Sequence, residues 1–281
     1  MIIIDGKKIQ QEILSKIKNE VAALPFVPIF CDVLVGDEKS SVQYVKMKAT
    51  TALSVGIKFH TSNFPSTINT EELIKEIKLL NEIPNMCGII VQLPLPAQID
   101  KQIILDAIDP RLDVDCLGSV TSKKFYNNEN IIGFPTALAC MNILDSIALD
   151  LKDKSVVVLG QGILVGKPVT ALLEMRGIFP SVVDINTENK EEIIKNADII
   201  ISGIGDGKYI KGDMLKQGVI LIDAGTSEEN TGTGGIVGDV DQESVKDVAS
   251  YLSPVPGGVG PVTVAMLLQN VLHVAKNIIK N

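Results

Sequence analysis

Ser155-Val156-Val157-Val158-Leu159 runs directly into the glycine turn Gly160-Gln161-Gly162-Ile163-Leu164-Val165-Gly166, and residues 167–176 then carry a helical pattern. A Val-rich strand, a tight glycine turn and a helix, in that order, are the opening of a dinucleotide-binding unit. The glycines let backbone N–H groups approach a pyrophosphate at a helix N-terminus. A glycine turn alone is a weak signal, and its placement between strand and helix makes it specific. Gly166-Lys167 resembles a fragment of the phosphate loop of nucleoside triphosphatases, but the spacing is wrong and Pro168 stands where a magnesium-binding hydroxyl is needed. Gly160, Gln161, Gly162 and Gly166 are therefore expected to bind a cofactor, NAD or NADP.

Downstream, residues 181–184, 197–202 and 219–223 read as further strands, so this half is expected to form a doubly wound Rossmann-like sheet. Asp184 lies 24 residues after Gly160, at the end of the second strand of the unit. A carboxylate there accepts hydrogen bonds from ribose hydroxyls and repels a 2′-phosphate, which favours NAD over NADP. The plainer reading is a solvated residue or a cap ahead of a helix beginning near Thr187. Ser202, Gly203 and Thr226 complete the expected cofactor set.

Upstream, residues 6–23 place Ile9, Ile13, Ile17 and Val21 on one helix face, and Pro25 and Pro28 end that helix. Strands at 29–35, 59–64 and 88–92 alternate with helices at 40–55 and 70–80, the latter capped by Asn69 or Thr70. This is a βαβαβ unit with a parallel sheet. The expected architecture is α/β with two domains: 1–138, completed by a closing helix at 262–281, and a dinucleotide-binding domain at 139–261.

Composition narrows the function. The 281 residues are 46% hydrophobic and 21% charged, and a net charge of −8 without a basic stripe excludes the footprint of a nucleic-acid binder. No stretch is read as the eighteen or more apolar residues of a membrane span, and Met1-Ile2-Ile3-Ile4 is too short and wrongly flanked for a secretory signal, so a soluble cytoplasmic protein is expected. Cys31, Cys87, Cys116 and Cys140 lack metal-binding spacing and are expected to be reduced and mostly buried. The two histidines, His60 and His273, sit in structural contexts, which argues against zinc and against a Ser-His-Asp triad. A proton shuttle must then use another group, such as lysine.

Several motifs remain. Ser41-Val42-Gln43-Tyr44-Val45-Lys46-Met47-Lys48 puts Tyr44 and Lys48 one turn apart on a helix face. Val91-Gln92-Leu93-Pro94-Leu95-Pro96 follows a strand, and Asp113-Val114-Asp115 reaches its second aspartate 23 residues after Gln92. Gly238-Asp239-Val240 and Pro254-Val255-Pro256-Gly257-Gly258-Val259-Gly260-Pro261 lie near the end. Together these resemble the bifunctional methylenetetrahydrofolate dehydrogenase/methenyltetrahydrofolate cyclohydrolase family over essentially the whole chain.

The resemblance implies that Lys48 is the cyclohydrolase acid/base, that Gln92 positions lysine and substrate, that Asp115 hydrogen-bonds the pterin and that Tyr44 contacts the aminobenzoyl ring. Ser41, Pro256, Gly257 and Gly258 are the further substrate residues; the glycines suit close backbone approach to a flat ring. It also implies a folate substrate, a homodimer and an active cleft between domains. Singly, each residue has a plainer reading: Lys48 as a solvated lysine, Gln92 as a strand-end hydrogen bonder, Asp115 as a turn residue, 254–261 as a rigid turn. The pattern departs from the family at Cys116 (usually Gly), at Phe134-Pro135-Thr136-Ala137 (usually Pro-Cys-Thr-Pro), and at Gln161, Gly162, Asp184 and Gly207. A monofunctional cyclohydrolase with a drifted nucleotide domain, or a catalytically silent nucleotide- or folate-sensing protein, are the alternatives; joint retention of Lys48, Gln92 and Asp115 argues against the silent one.

Overall fold

The computed structural model describes residues 1–129, 132–228 and 235–280. Residue 281, the last of the expected closing helix, lies outside them. In chain order the elements are β1 (Ile2–Ile3), α1 (Gly6–Ala22), β2 (Ile29–Val35), α2 (Lys39–Ser54), β3 (Lys58–Phe64), α3 (Thr70–Asn81) and β4 (Met86–Val91). The short helices α4 (Lys101–Asp106) and α5 (Ser119–Tyr126) follow, then α6 (Pro135–Ser146), β5 (Val156–Leu159), α7 (Gly166–Met175), β6 (Ser181–Val183) and α8 (Lys190–Asn196). The chain continues through β7 (Ile199–Ser202), β8 (Ile220–Asp223), β9 (Ser227–Glu228), β10 (Ile236–Val237), α9 (Gln242–Val245), β11 (Tyr251–Ser253) and α10 (Val259–Lys280).

Two compact units result: Met1–Gln11 with Thr136–Thr263, and Glu12–Pro135 with Val264–Asn281. The first eleven residues therefore do not belong with 12–135, as a 1–138 domain requires. The reason is strand pairing: β1 adds to β11 in parallel, Ile2 opposite Tyr251 and Ile3 opposite Leu252. Two residues without periodicity gave the sequence no way to announce that partner.

In the unit built on Glu12–Pro135, three parallel strands lie in the order β3-β2-β4. β2 reads Ile-Phe-Cys-Asp-Val-Leu-Val and is buried along nearly its whole length, the near-continuous apolar run of a strand covered on both faces. α3 opens with a capping box, Asn69 accepting from the Glu72 N–H while the Glu72 carboxylate accepts from the Asn69 N–H. α10 completes this unit. It is long and apolar enough to cross a membrane, against the sequence expectation that no segment is, but most of its apolar length is buried within the protein. Val271 packs so close to β4 that a Cβ on Gly88 would stand 2.9 Å from it and from Val114. The buried Asn270 amide donates to the carbonyls of Val114 and Gly133, at 2.9 and 2.8 Å. A core helix explains both its hydropathy and its lone buried amide.

The other unit is an all-parallel six-stranded sheet in the order β1-β11-β8-β7-β5-β6, with the hairpin β9–β10 beside it in sequence. Its core is built on Val157, Leu159, Ile200, Leu221 and Leu252. The chain leaves β5 toward β6 on one side and returns to β7 on the other, which makes the carboxyl ends of β5 and β7 the topological switch point where open α/β sheets bind ligands. The helix expected near Thr187 starts at Lys190 instead.

Candidate active site

The functional side chains fall in two places, one in each unit. In the first, α2 turns the stripe Ser41, Val45, Lys48 and Ala52 inward, with the spacing of one helix face. Lys48 therefore lies under the helix, 6% exposed, and the reading of a solvated surface lysine fails. Its Nζ donates to Gln92 Oε1 at 2.7 Å and stands 2.7 Å from Asp32 Oδ2. Gln92 is fixed because it continues β4: its N–H donates to the Val33 carbonyl at 2.9 Å, and its Nε2 donates to the Leu93 carbonyl at 3.0 Å. The Leu93–Pro94 peptide that follows is cis.

Asp115 is half-buried beside this pair. Burial pushes its carboxyl up to about 7, against the pull of Lys48, with Asp113 and Asp32 adding to the rise. The two aspartates of Asp113-Val114-Asp115 thus divide. Asp113 is buried and accepts from the N–H groups of Leu117 and Gly118 at 3.3 and 2.8 Å, which folds the loop. Asp115 is left to face Lys48. Cys116, where the resembling family usually has Gly, takes a left-handed φ of 62° and is fully buried. Asn270 on α10 anchors the Val114 carbonyl next to Asp115.

Tyr44 is exposed on α2. Ser41 is buried, and its hydroxyl donates to Glu38 Oε2 at 2.7 Å as part of the helix cap. Ser40 and Ser41 together hold the Glu38 carboxyl down at about 2. Asp32 is the residue that sequence reading passed over. It is fully buried in the middle of β2, and the available signal was a charged residue interrupting an apolar strand.

In the second place, glycines line the switch point. Gly160 follows β5 with φ 84°, a conformation that suits glycine. A Cβ on it would stand 3.0 Å from the Gly203 carbonyl oxygen, one on Gly203 would stand 2.7 Å from Val165, and one on Gly166 would strike the Gly160 carbonyl. A Cβ on Gly162 would meet nothing within 4 Å, so the turn is open above it. Gln161 folds back onto the turn, its Nε2 donating to the Gly160 carbonyl at 2.9 Å and to Thr170 Oγ1 at 3.3 Å. A cradle that side chains would fill, at the N-terminus of a ten-residue helix, fits a dinucleotide's pyrophosphate.

Asp184 stands just after β6, half-buried. Its Oδ1 accepts from the Asn186 N–H at 2.8 Å and the Thr187 hydroxyl at 3.1 Å, which stabilises a turn, and it is not the cap of the helix that begins at Lys190. The Ser202 hydroxyl donates to Asp239 Oδ2 at 2.6 Å, and the residue is 1% exposed. Asp223 accepts from the N–H groups of Gly225, Asp239 and Val240. Burial and the neighbouring Asp239 push its carboxyl up to about 7. Thr226 is exposed after β8. Pro256 follows a cis peptide, Gly257 has φ 106°, and the Gly258 N–H donates to the Pro254 carbonyl at 2.8 Å.

All four cysteines are buried and unpaired. Among the described residues no group of His, Cys, Asp and Glu is arranged to hold a metal ion.

Comparison with known proteins matches residues 4–115 to the tetrahydrofolate dehydrogenase/cyclohydrolase catalytic domain, and residues 135–279 to the NAD(P)-binding domain of the same family. A bifunctional protein FolD of Nautilia profundicola is 42% identical over 283 aligned residues, covering 100% of this chain and 99% of that protein. The crystal structure of the bifunctional FolD methylenetetrahydrofolate dehydrogenase/cyclohydrolase of Campylobacter jejuni is 36% identical with a TM-score of 0.94, covering 99% of each chain. The Trypanosoma brucei enzyme, solved with NADP and an inhibitor, is 34% identical with a TM-score of 0.93, covering 100% of this chain and 99% of that one. With both domain models matched in order and relatives alike from end to end, the chain belongs to the tetrahydrofolate dehydrogenase/cyclohydrolase family.

Proposed function

We propose that this protein oxidises 5,10-methylenetetrahydrofolate to the methenyl form with hydride transfer to a nicotinamide cofactor, and hydrolyses the methenyl form to 10-formyltetrahydrofolate. The observation that carries the reading is the buried Lys48 Nζ, 2.7 Å from Gln92 Oε1, with Asp115 beside it.

The oxidation needs little from the protein beyond positioning. The methylene carbon lies between two nitrogens whose lone pairs stabilise the cation left behind, and the nicotinamide ring supplies the hydride acceptor. Gly160, Gly166 and Gly203 bring backbone close to the cofactor, with Gln161, Gly162 and Thr226 at the rim. Pro256, Gly257 and Gly258 offer backbone to a flat ring. Asp184 supports a preference for NAD, because a carboxylate repels a 2′-phosphate and accepts from ribose hydroxyls. Its Oδ1 is already engaged, so Oδ2 is the oxygen that reads the ribose.

Hydrolysis requires proton traffic. Water adds to the methenyl carbon as Lys48, in its amine form, takes a proton from it; the resulting ammonium protonates the leaving ring nitrogen, and the carbinol proton departs as the formyl group forms. Gln92 Oε1 orients Nζ, Asp115 accepts from pterin N–H groups, and Tyr44 covers the aminobenzoyl ring. In its cellular setting we read the protein as a cytoplasmic homodimer without nucleic-acid or membrane partners. The net charge of −8 and the buried course of α10 support the lack of nucleic-acid and membrane partners, and the homodimer is what the family resemblance implies. Light scattering on the purified protein tests the dimer.

The deciding experiment follows absorbance of purified protein with methylenetetrahydrofolate and each nicotinamide cofactor, then assays methenyl hydrolysis directly. Absence of either activity overturns that half of the proposal.

A further inference from the structure

Asp32 has no part in the reading given so far. Its carboxylate is fully buried at the centre of β2, flanked by the fully buried Cys31 and Val33. Its neighbours across the sheet are Thr61 on β3 and Ile90 on β4. Among the described residues no donor besides the Lys48 ammonium, 2.7 Å away, reaches either carboxylate oxygen, so that ammonium is what compensates its charge. The fold does not ask for this group. An apolar residue of similar size completes a strand buried on both faces, and replacing buried ion pairs by apolar groups is often neutral or stabilising. A carboxylate kept there acts on the lysine.

Nζ has three donor directions. Gln92 takes one and Asp32 faces another, which leaves one for substrate and water. We propose that Asp32 is a positioning residue for hydrolysis: it holds Nζ against Gln92 and takes up the lysine's proton when the cationic substrate arrives, so that the amine meeting water is neutral. This inference rests on Lys48 as the hydrolytic acid/base. The proton balance closes. A Nζ–H bond breaks as an O–H bond forms on Asp32; Nζ then accepts the water proton, gives it to the leaving nitrogen and accepts the carbinol proton. The single net proton of the reaction leaves from Asp32 once the neutral product has formed. Burial already raises the Asp32 carboxyl toward proton uptake, and Lys48 opposes that rise.

The charged or titratable groups facing Asp32 are Lys48 from α2, Asp115 from the loop after α4, and Cys31 on its own strand. The Cys31 thiol is pushed up to about 12 by burial, so it stays neutral through the working range. Asp115 titrates in that range and must be followed beside the pair.

The test compares kcat and KM for methenyl hydrolysis against pH in wild type, Asp32→Asn and Asp32→Val, with hydride transfer measured on the same preparations. Loss of the carboxylate removes both the charge beside Nζ and the acceptor for its proton, so the pH profile of hydrolysis departs from that of wild type. Hydrolytic kcat falls about 100-fold, with KM changing less and hydride transfer falling less. Profiles that superimpose on wild type, or a loss carried by KM alone, overturn the inference. A second measurement does not depend on those variants folding: carbon NMR of labelled aspartates in wild type and Lys48→Met. Removal of the lysine raises the Asp32 titration by one unit or more, and an unmoved titration overturns the coupling. Lys48→Met that hydrolyses normally refutes the lysine reading itself, a different outcome from an unshifted Asp32→Asn profile.

Discussion

Replacing Lys48 by Met tests the assignment most directly, because the thioether keeps much of the apolar stem while removing the amine. Two magnitudes follow from the structure. A positioned acid/base contributes about 100- to 10,000-fold, so hydrolysis falls by that factor, about 3 to 5 kcal/mol of transition-state stabilisation. Hydride transfer falls far less, since no proton moves through Nζ in that step. Stability is the second. Removing one partner of a buried ion pair costs about 3–5 kcal/mol when the other charge stays stranded, and here the stranded group is Asp32. Protonation relieves it. Burial raises the folded-state value of Asp32, and loss of the lysine removes the opposing pull, so the folded state binds the proton more tightly than the unfolded chain. The variant is therefore nearly as stable as wild type below the ordinary aspartate range and loses stability as pH rises through the elevated value. The assay is decay of methenyl absorbance set against reduced-cofactor appearance on one preparation, with urea midpoints at acid and neutral pH. Equal loss of both activities refutes the role of Lys48, and a variant no less stable at neutral pH refutes the ion-pair argument.

Three more outcomes are expected. Asp115→Ala weakens folate affinity and lowers both activities, because both reactions hold the same pterin; unchanged affinity in a binding titration counts against it. Asp115→Asn also changes the pH dependence of folding. A carboxyl raised to about 7 withdraws stability as pH climbs from the ordinary aspartate range to neutrality, and urea midpoints of the Asn variant should lack that decline. Specificity constants for the two cofactors should favour NAD in wild type and move toward NADP in Asp184→Ser; an unmoved ratio shows that the carboxylate serves only its turn. Gly166→Ala puts a methyl against the Gly160 carbonyl and costs about 1–3 kcal/mol. Its hydride transfer should fall more than its hydrolysis, and parallel losses would place the glycine outside the cofactor cradle.

The βαβ grammar of both halves was legible because buried parallel strands are short apolar runs between amphipathic helices. β2 and α3 were found within a residue of where they stand. β1 and β11 were not, because two or three residues carry no period and their pairing is decided by partners about 250 positions away. In the site, motif spacing brought out Lys48, Gln92 and Asp115, and the structure sets the lysine against Gln92 and Asp32. The partners of the Ser41 and Ser202 hydroxyls were not legible. A hydroxyl at a helix start or strand end looks the same in sequence whether it meets a ligand, a Glu38 cap or a buried Asp239. Asp32 was underread, since β-strand patterning treats a charged residue as noise unless its counter-ion is known. Asn270 hid in the same way among the apolar residues of α10.

The pairing of β1 with β11 also governs when the protein can fold during synthesis. Ile2 and Ile3 are made long before Tyr251–Ser253, and the edge they complete does not exist until those residues have followed. The three-stranded sheet faces a similar delay, waiting for α10 to cover β4 and to supply the Asn270 amide to the Asp115 loop. Both cores therefore close through contacts of very long sequence separation, the regime in which loop-closure entropy slows folding and partly built sheets stay exposed. A nascent chain released before residue 264 would carry the cofactor turn but leave β4 uncovered and the Val114 carbonyl without its Asn270 amide, a substrate for chaperones and proteases and not a slower enzyme.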